Sequence, residues 1–255
     1  MNQIMRYPSV VLAISLVALW LSVQIGVSFR NRRMSIEENE REDFGIIMAA
    51  VLTLLGLIIG FSFSMAISRY DQRKNLEETE ANAIGTEYVR ADFLPGAAAA
   101  RVRALLNNYL DQRLLFYKTR DDGQLREIDT ATTQLETDLW SAVQAPAAAQ
   151  PTPLVTIAVT GMNDVLNSKG YTQAAWWNRI PNAAWGLMAA IAICCHLLIG
   201  YGVRKGEAKR TLLLVLPLVV SISFALIADI DSPRGGIVRV SAQNLTSLSQ
   251  SLQRH

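Results

Sequence analysis

The chain has 255 residues, of which 51% are hydrophobic and only 18% are charged. A soluble domain usually carries about 25% charged residues, so this composition excludes an ordinary soluble enzyme as well as intrinsic disorder. The formal net charge of +2 provides no basic field for nucleic acid. The adjacent Cys194 and Cys195 cannot build a disulfide framework or a spaced metal site, and two histidines are too few for a zinc cluster. We therefore expect no enzyme and no nucleic-acid partner.

Uncharged stretches of the length that a bilayer requires occur four times along the chain. Each has a length close to the roughly 20 apolar residues that a helix needs to cross the hydrocarbon core. The first has no small-residue cleavage site and is therefore interpreted as a span rather than a signal peptide. The sequence predicts an all-α polytopic membrane protein with four transmembrane helices, of which two lie in residues 1–67 and two in 181–230. The uncharged stretches are residues 9–29, 44–67, 182–203 and 211–228.

Lysine and arginine in the short loops predict the orientation. The loops 30–43 and 204–210 each carry four such residues, which places both loops in the cytoplasm. Both termini and residues 68–180 are then outside a bacterial plasma membrane. Arg69, Arg73 and Lys74, on the other side of the second span, oppose this orientation.

The polar insert between spans two and three reads as a helical bundle. Helix formers dominate it, a Leu94–Pro95 break interrupts it, and no strand-like alternation occurs. Residues 145–153, rich in alanine and proline, are expected to form an extended connector. Glu77, Glu78 and Glu80 are interpreted as a solvated face, and Arg90, Asp92, Arg101 and Arg103 as surface pairs. The predicted helices cover residues 68–91, 97–118, 125–143 and 154–167, and an interfacial helix is predicted in the tail at 231–255.

One face of the second span carries small and polar side chains that continue into the insert. At about 100° per residue they fall within an arc of roughly 120°. We call this face the seam; it comprises Ala49, Thr53, Gly56, Gly60, Ser64, Ser68, Asp71, Asn75, Glu78, Asn82 and Thr86. Leu57 and Ile67 interrupt it. The seam has two interpretations: close packing of another helix on Gly56 and Gly60, which the pattern alone favours, or the lining of a pore with a hydrophobic constriction.

Three segments resemble a bestrophin-like membrane family. They are FSFSMAISRYDQRKNLEETEANAIGTEYVRADFLP at 61–95, RVRALLNNYLDQR at 101–113 and LIADIDSPRGGIVRVSAQNL at 226–245. The resemblance implies a homo-oligomeric, pentameric ion channel with a pore along the second span, cytoplasmic termini and a calcium clasp after the fourth span. The termini conflict with the loop charges. The predicted pore-lining residues are Thr53, Gly56, Leu57, Gly60, Ser64, Ile67, Ser68 and Asp71.

The other polar groups of the apolar segments have alternative interpretations. Asp229 and Asp231 are candidate ligands of a divalent cation, or they form a turn at the membrane boundary. Cys194 and Cys195 are expected to be small interface residues. His196 is expected to be a neutral imidazole bonding across helices, with a proton role as the alternative.

The leading functional prediction is a bestrophin-like ion channel, with the lipid bilayer, ions and further copies of the chain as partners. The alternative is a non-conducting sensor or adaptor, whose insert binds a ligand or a partner.

Overall fold

The computed structural model describes residues 7–32, 38–203 and 212–254, and these residues contain helices and no strand. Two short 3-10 turns, Ala91–Phe93 and Leu212–Leu214, precede the third and the seventh helix. The all-α prediction is therefore confirmed for the part of the chain that the structure describes. The α-helices are α1 (Pro8–Arg32), α2 (Glu38–Arg90), α3 (Gly96–Lys118), α4 (Asp122–Ala149), α5 (Pro153–Trp177), α6 (Asn182–Gly202), α7 (Val215–Asp231) and α8 (Gln243–Leu252).

Helix boundaries follow from caps and prolines. The Asp121 side chain accepts a hydrogen bond from the Gln124 amide at 2.8 Å and so caps α4. Thr152 caps α5 in the same way, and Pro153 follows at the first helical position, where it has no N–H to leave unpaired. The Leu94–Pro95 dipeptide is extended, which separates α2 from α3 as the sequence predicts.

Three segments hold helices long and apolar enough to cross a membrane: Pro8–Arg30, Arg41–Phe93 and Pro153–Gly202. They contain the first, second and third predicted spans. The fourth corresponds to α7, an apolar helix of 17 residues that follows a 3-10 turn. Pro217 lies in the first turn of α7, where a missing N–H breaks no intrahelical bond, so the proline does not interrupt the helix.

The prediction of an extended connector at 145–153 is mostly wrong. α4 continues through Pro146 to Ala149, so only Gln150–Thr152 connect it to α5. The alanines after Pro146 are strong helix formers, and they extend the helix by one turn despite the proline. The basic loop at 204–210, together with Arg33, lies outside the residues that the structure describes.

The first compact unit contains the described residues up to Arg69 and those from Arg179 to Arg239. Within it α1 packs against α6 and α7. Gly26 and Gly200 allow the closest approach: a Cβ built on Gly26 would lie 2.2 Å from the Leu197 carbonyl oxygen, and one on Gly200 would lie 2.1 Å from that of Val23. The backbones of α1 and α6 therefore touch at a pair of glycines.

The second unit contains residues 70–178 and the described residues from Val240 onward. The second half of α2, with α3, α4, α5 and α8, surrounds one apolar core. The core positions of α3 and α4 recur at helical spacing. Its fully buried members include Ile84, Val102, Leu106, Tyr109, Leu139, Val143, Ala158, Met162 and Leu245.

Candidate pore-lining face

The eight predicted pore-lining residues are all exposed on α2. Seven lie in the first unit, and Asp71 follows at the start of the second. The buried residues in the same stretch of helix are Leu55, Ser62 and Ala66, which lie off the 120° arc. Within one chain, the structure therefore brings the predicted residues together on a surface that the described residues of the chain leave uncovered.

The exposed apolar side chains around the seam are equally uncovered. Leu57 is 52% exposed and Ile67 38%, and Leu54 and Phe61 are exposed beside them. The Thr53 hydroxyl donates to the Ala49 carbonyl at 2.8 Å, so this polar group is satisfied within the helix. α2 therefore presents an apolar surface with a strip of small and hydroxyl groups.

Gly56 and Gly60 lie in open space. A Cβ added to either glycine would have no described atom within 4 Å other than those of its own helix. The close-packing interpretation of these glycines is thus not satisfied by any helix that the structure describes. Among the described helices, α1 and α6 make such a contact at Gly26 and Gly200.

In the second unit, the buried face of α2 carries charges, which corrects one prediction. Glu77 and Glu80 are 1% and 0% exposed, so they are not part of a solvated face, whereas Glu78 is exposed. Arg73 is buried on the same side of the helix. The spacing of these residues places them opposite the seam.

Glu80 is the centre of a buried ionic network. It pairs with Arg113 of α3, and its Oε2 accepts hydrogen bonds from the Tyr117 hydroxyl at 3.3 Å and the Thr172 hydroxyl at 3.2 Å. The Arg113 guanidinium lies 4.4 Å from the centre of the Phe116 ring. Burial raises the pKa of Tyr117, and the Glu80 carboxylate raises it further. The tyrosine is therefore a hydrogen-bond donor at neutral pH, and the network joins α2, α3 and α5.

Glu77 caps the last helix. Its Oε1 accepts from the Leu245 amide at 3.0 Å, and its Oε2 accepts from the Asn244 side-chain amide at 2.7 Å. These bonds satisfy donors in the first turn of α8, where a negative charge also interacts favourably with the helix dipole. The helix predicted for the tail is thus held to α2 of its own unit by a buried carboxylate.

The two aspartates at the end of α7 bind backbone amides. Asp229 accepts from the amides of Ile237 and Val238 at 2.7 and 2.8 Å. Asp231 accepts from the Ile180 amide at 3.1 Å and lies 3.7 Å from the Arg69 guanidinium. The Asp229 bonds agree with the turn interpretation, whereas Asp231 binds the segment that precedes α6. Among the described residues no group of three or more His, Cys, Asp or Glu side chains could hold a metal ion, so cation binding here stays a prediction.

The polar side chains of α6 lie at different depths. Cys194 is exposed, and Cys195 is buried. The His196 ring is fully buried, with its Nδ1 2.6 Å from the Ala192 carbonyl oxygen. This nitrogen therefore bonds to the preceding turn of its own helix. An interaction of the ring with the Leu216 backbone of α7 agrees with the expected bond across helices.

Comparison with known proteins identifies the family of the chain. A model of the bestrophin-like domain matches residues 10–245. The chain belongs to the bestrophin-like family. A bacterial bestrophin homologue from Klebsiella pneumoniae, crystallised with a leucine-to-threonine mutation, shares its fold, at 15% identity and a TM-score of 0.63, over 95% of this chain and 96% of that one.

A second structure of a bestrophin homologue from the same organism, with a tyrosine-to-alanine mutation, has a TM-score of 0.61 at 15% identity and covers 94% of this chain and 96% of that one. A structure named only as a membrane protein, with a proline-to-alanine mutation, gives 0.62 at 15% identity, with coverage of 95% and 96%. No curated protein sequence matches the chain. The family and the apolar helices together identify an integral membrane protein.

In this bestrophin-like protein, sequence reasoning missed the charged interior of the insert. Arg113, 2% exposed, had no assigned role, and Glu87 is fully buried without a hydrogen-bond partner among the described residues. A usable signal exists: Arg73, Glu77, Glu80, Ile84 and Glu87 recur at alternating intervals of four and three, which marks one helix face whatever its polarity. By contrast, Arg103 and Asp92 form the surface pair that the sequence predicts.

Proposed function

We propose that this bestrophin-like protein is one subunit of a homo-oligomeric ion channel whose pore is lined by α2. The observation that supports the proposal best is the exposure of all eight predicted residues on one arc of an apolar helix. In an oligomer of such chains, copies of α2 could surround an axis and turn that arc toward it. Following the family resemblance, we propose a pentamer.

The membrane part would contain four spans, formed by α1, α2, α6 and α7. The helix α7 alone is short, but 17 helical residues and three residues of a 3-10 turn together extend roughly 31 Å. That length matches the roughly 30 Å hydrocarbon core of a bilayer. Both termini and the insert would lie outside a bacterial plasma membrane, as the basic loops favour, and reporter fusions at the C-terminus test this orientation.

Leu57 and Ile67 would form the constriction. They are the two large apolar residues within the arc between Ala49 and Thr86, and rings of such side chains gate pores by excluding water. Asp71 is the one charged residue among the eight, and a ring of carboxylates at the end of the apolar part would favour cations over anions. Lys74 lies at the edge of the arc one turn further on and would moderate that preference.

Ion flux from liposomes tests the proposal. Purified protein reconstituted with a self-quenched or ion-sensitive dye should conduct cations, and Leu57→Ala should raise the flux. Leu54→Ala is the matched control, because Leu54 is a similarly exposed leucine that lies off the arc. Asp71→Asn should lower the preference for cations without abolishing flux.

The oligomeric state is measured on the same preparation by native mass spectrometry. A well-folded oligomer without flux of any common ion would contradict the channel. Equal effects of Leu57→Ala and Leu54→Ala would contradict the assignment of α2 as the lining helix. A protein that is monomeric in a mild detergent and in bilayers would contradict both the channel and the assignment of α2 as its lining helix.

A further inference from the structure

The carboxyl group of Glu87 lies inside the second unit without a hydrogen-bond partner among the described residues. The side chain is 0% exposed. It lies against Gly161 of α5, where a Cβ would be 2.0 Å from Oε2. Burial raises the pKa of Glu87 to about 8; Arg90 opposes this shift and Asp164 adds to it. At neutral pH the group is therefore mainly uncharged.

Arg90, one turn further along α2, lies against the same glycine. A Cβ on Gly161 would be 2.6 Å from its Nη1. Within the part of the chain that the structure describes, the guanidinium makes no hydrogen bond or ion pair, and the side chain is half-buried. A partly desolvated guanidinium with five donors and no acceptor is a strong candidate for binding an anion.

Arg90 lines a cavity of about 430 Å³ between α2 and α5. The wall is rich in hydrogen-bonding groups, and its second charge is Asp164, which is exposed and has no hydrogen-bond partner among the described residues. The cavity therefore presents a cation, an acceptor and neutral donors to one small volume. The further polar side chains of the wall include Asn82, Thr86, Asn167 and Tyr171.

We propose that this cavity binds a small monocarboxylate through Arg90, and that ionised Glu87 competes with the ligand for the same guanidinium. A planar guanidinium matches a carboxylate in a two-point contact. A monoanion suits the site better than a dianion such as sulfate, because Asp164 would repel the second charge. Asp164 can accept a hydrogen bond from a hydroxyl or amino group at the other end of the ligand.

The competition makes binding depend on pH in a defined direction. When Glu87 is neutral, Arg90 is available to the ligand; when Glu87 is ionised, its carboxylate attracts the guanidinium inward. Affinity should therefore fall as pH rises through about 8. The other charged groups nearby are Asp164 on α5 and Asp92 of the 3-10 turn, which Arg103 binds. The sequence of α8 contains no ionisable residue.

Isothermal titration of the full-length protein with glycolate, a monocarboxylate that carries a hydroxyl donor, tests the site. Binding at pH 6.5 should weaken at least tenfold in Arg90→Gln. It should be unchanged in Arg120→Gln, which removes an exposed arginine of the same unit. Sulfate, which is a dianion at this pH, should bind more weakly than glycolate. Absence of glycolate binding to the folded wild type, or equal binding by Arg90→Gln, would overturn the site, and tighter sulfate binding would overturn the ligand class.

Glu87→Gln separates the switch from the site. At pH 9.5 only about one Glu87 in thirty is neutral, so wild-type affinity should be about thirty-fold below its limiting low-pH value. Glu87→Gln should bind glycolate equally at pH 6.5 and 9.5. If Glu87→Gln loses affinity for glycolate at high pH as the wild type does, the role of Glu87 is overturned. Gel filtration and helical circular dichroism establish that each variant is folded.

Discussion

The contact of α1 with α6 predicts that Gly200 cannot accept a single methyl group. A Cβ at this position would lie 2.1 Å from the Val23 carbonyl oxygen and 3.0 Å from the Val27 amide nitrogen. Both are backbone atoms, so no rotamer change can make room. Gly200→Ala should force the two helices apart by about 1 Å, since well-packed interiors have no spare volume.

The magnitude follows from two opposing effects. Overpacking of this kind costs typically about 1–3 kcal/mol, and a clash with backbone lies at the upper end. Alanine is the better helix former by up to about 1 kcal/mol, which offsets part of the cost. Gly186→Ala is the matched control, because it lies in the same helix and has no described atom within 4 Å of the added Cβ. The two variants share the propensity gain, so their difference of about 3 kcal/mol reports the clash.

Thermal unfolding followed by circular dichroism in detergent measures this difference. For a chain of this size about 3 kcal/mol corresponds to a gap of roughly 6–12 °C between the two variants. Gly26→Ala should behave like Gly200→Ala, and the double variant should cost less than the sum, since one separation of the helices relieves both clashes. A Gly200→Ala protein as stable as Gly186→Ala would refute the close approach.

Three further predictions concern the buried charges of the insert. Arg113→Met should lower the free energy of unfolding by about 3–5 kcal/mol, because Glu80 would keep a buried charge without its partner. Chemical denaturation measures this loss of stability, and the double variant Arg113→Met/Glu80→Gln should recover part of it. An Arg113→Met protein as stable as the wild type would contradict the buried ion pair. Glu77→Ala should release α8 and speed proteolysis of the C-terminal segment, whereas Glu78→Ala, on the exposed face, should not; equal rates would speak against the cap. Burial raises the pKa of Glu87 from 4.5 to about 8, so between these values the folded protein retains a proton that the unfolded chain has lost. That contribution to stability is complete below about pH 4.5 and is lost as pH rises to about 8. The stability of Glu87→Gln relative to wild type should therefore increase across this range, and a constant difference would exclude the linkage.

Apolar periodicity made much of the fold predictable. The lengths of the uncharged stretches located the apolar helices, because a bilayer sets their length. The spacing of Val102, Leu106 and Tyr109 is that of one helix face, and this face is buried in α3. The end of α4 was harder to predict, since Pro146 reads as a breaker while the alanines after it favour helix. Propensity alone gives no rule for which of these two effects dominates.

The interior of the insert was missed for a different reason. Hydrophobic pattern assigns charged residues to solvent, and this holds for Glu78 but fails for Glu80. The burial of Glu80 depends on Arg113, which is 33 positions away and on another helix, so local sequence cannot report it. Buried charges require partners, and the partner is defined only once α2 and α3 are packed.

The seam was predictable only in part. Its existence follows from the helical period, but its surroundings do not, because small and hydroxyl side chains are compatible with both lipid and water. The Thr53 hydroxyl bonds to its own helix, so it would tolerate either environment. Leu57 and Ile67 do distinguish a lipid-facing surface from a pore. In lipid their truncation changes only packing, whereas in a constriction it widens the path of the ion. Flux through Leu57→Ala, compared with Leu54→Ala, therefore tests the property of α2 on which the channel proposal depends.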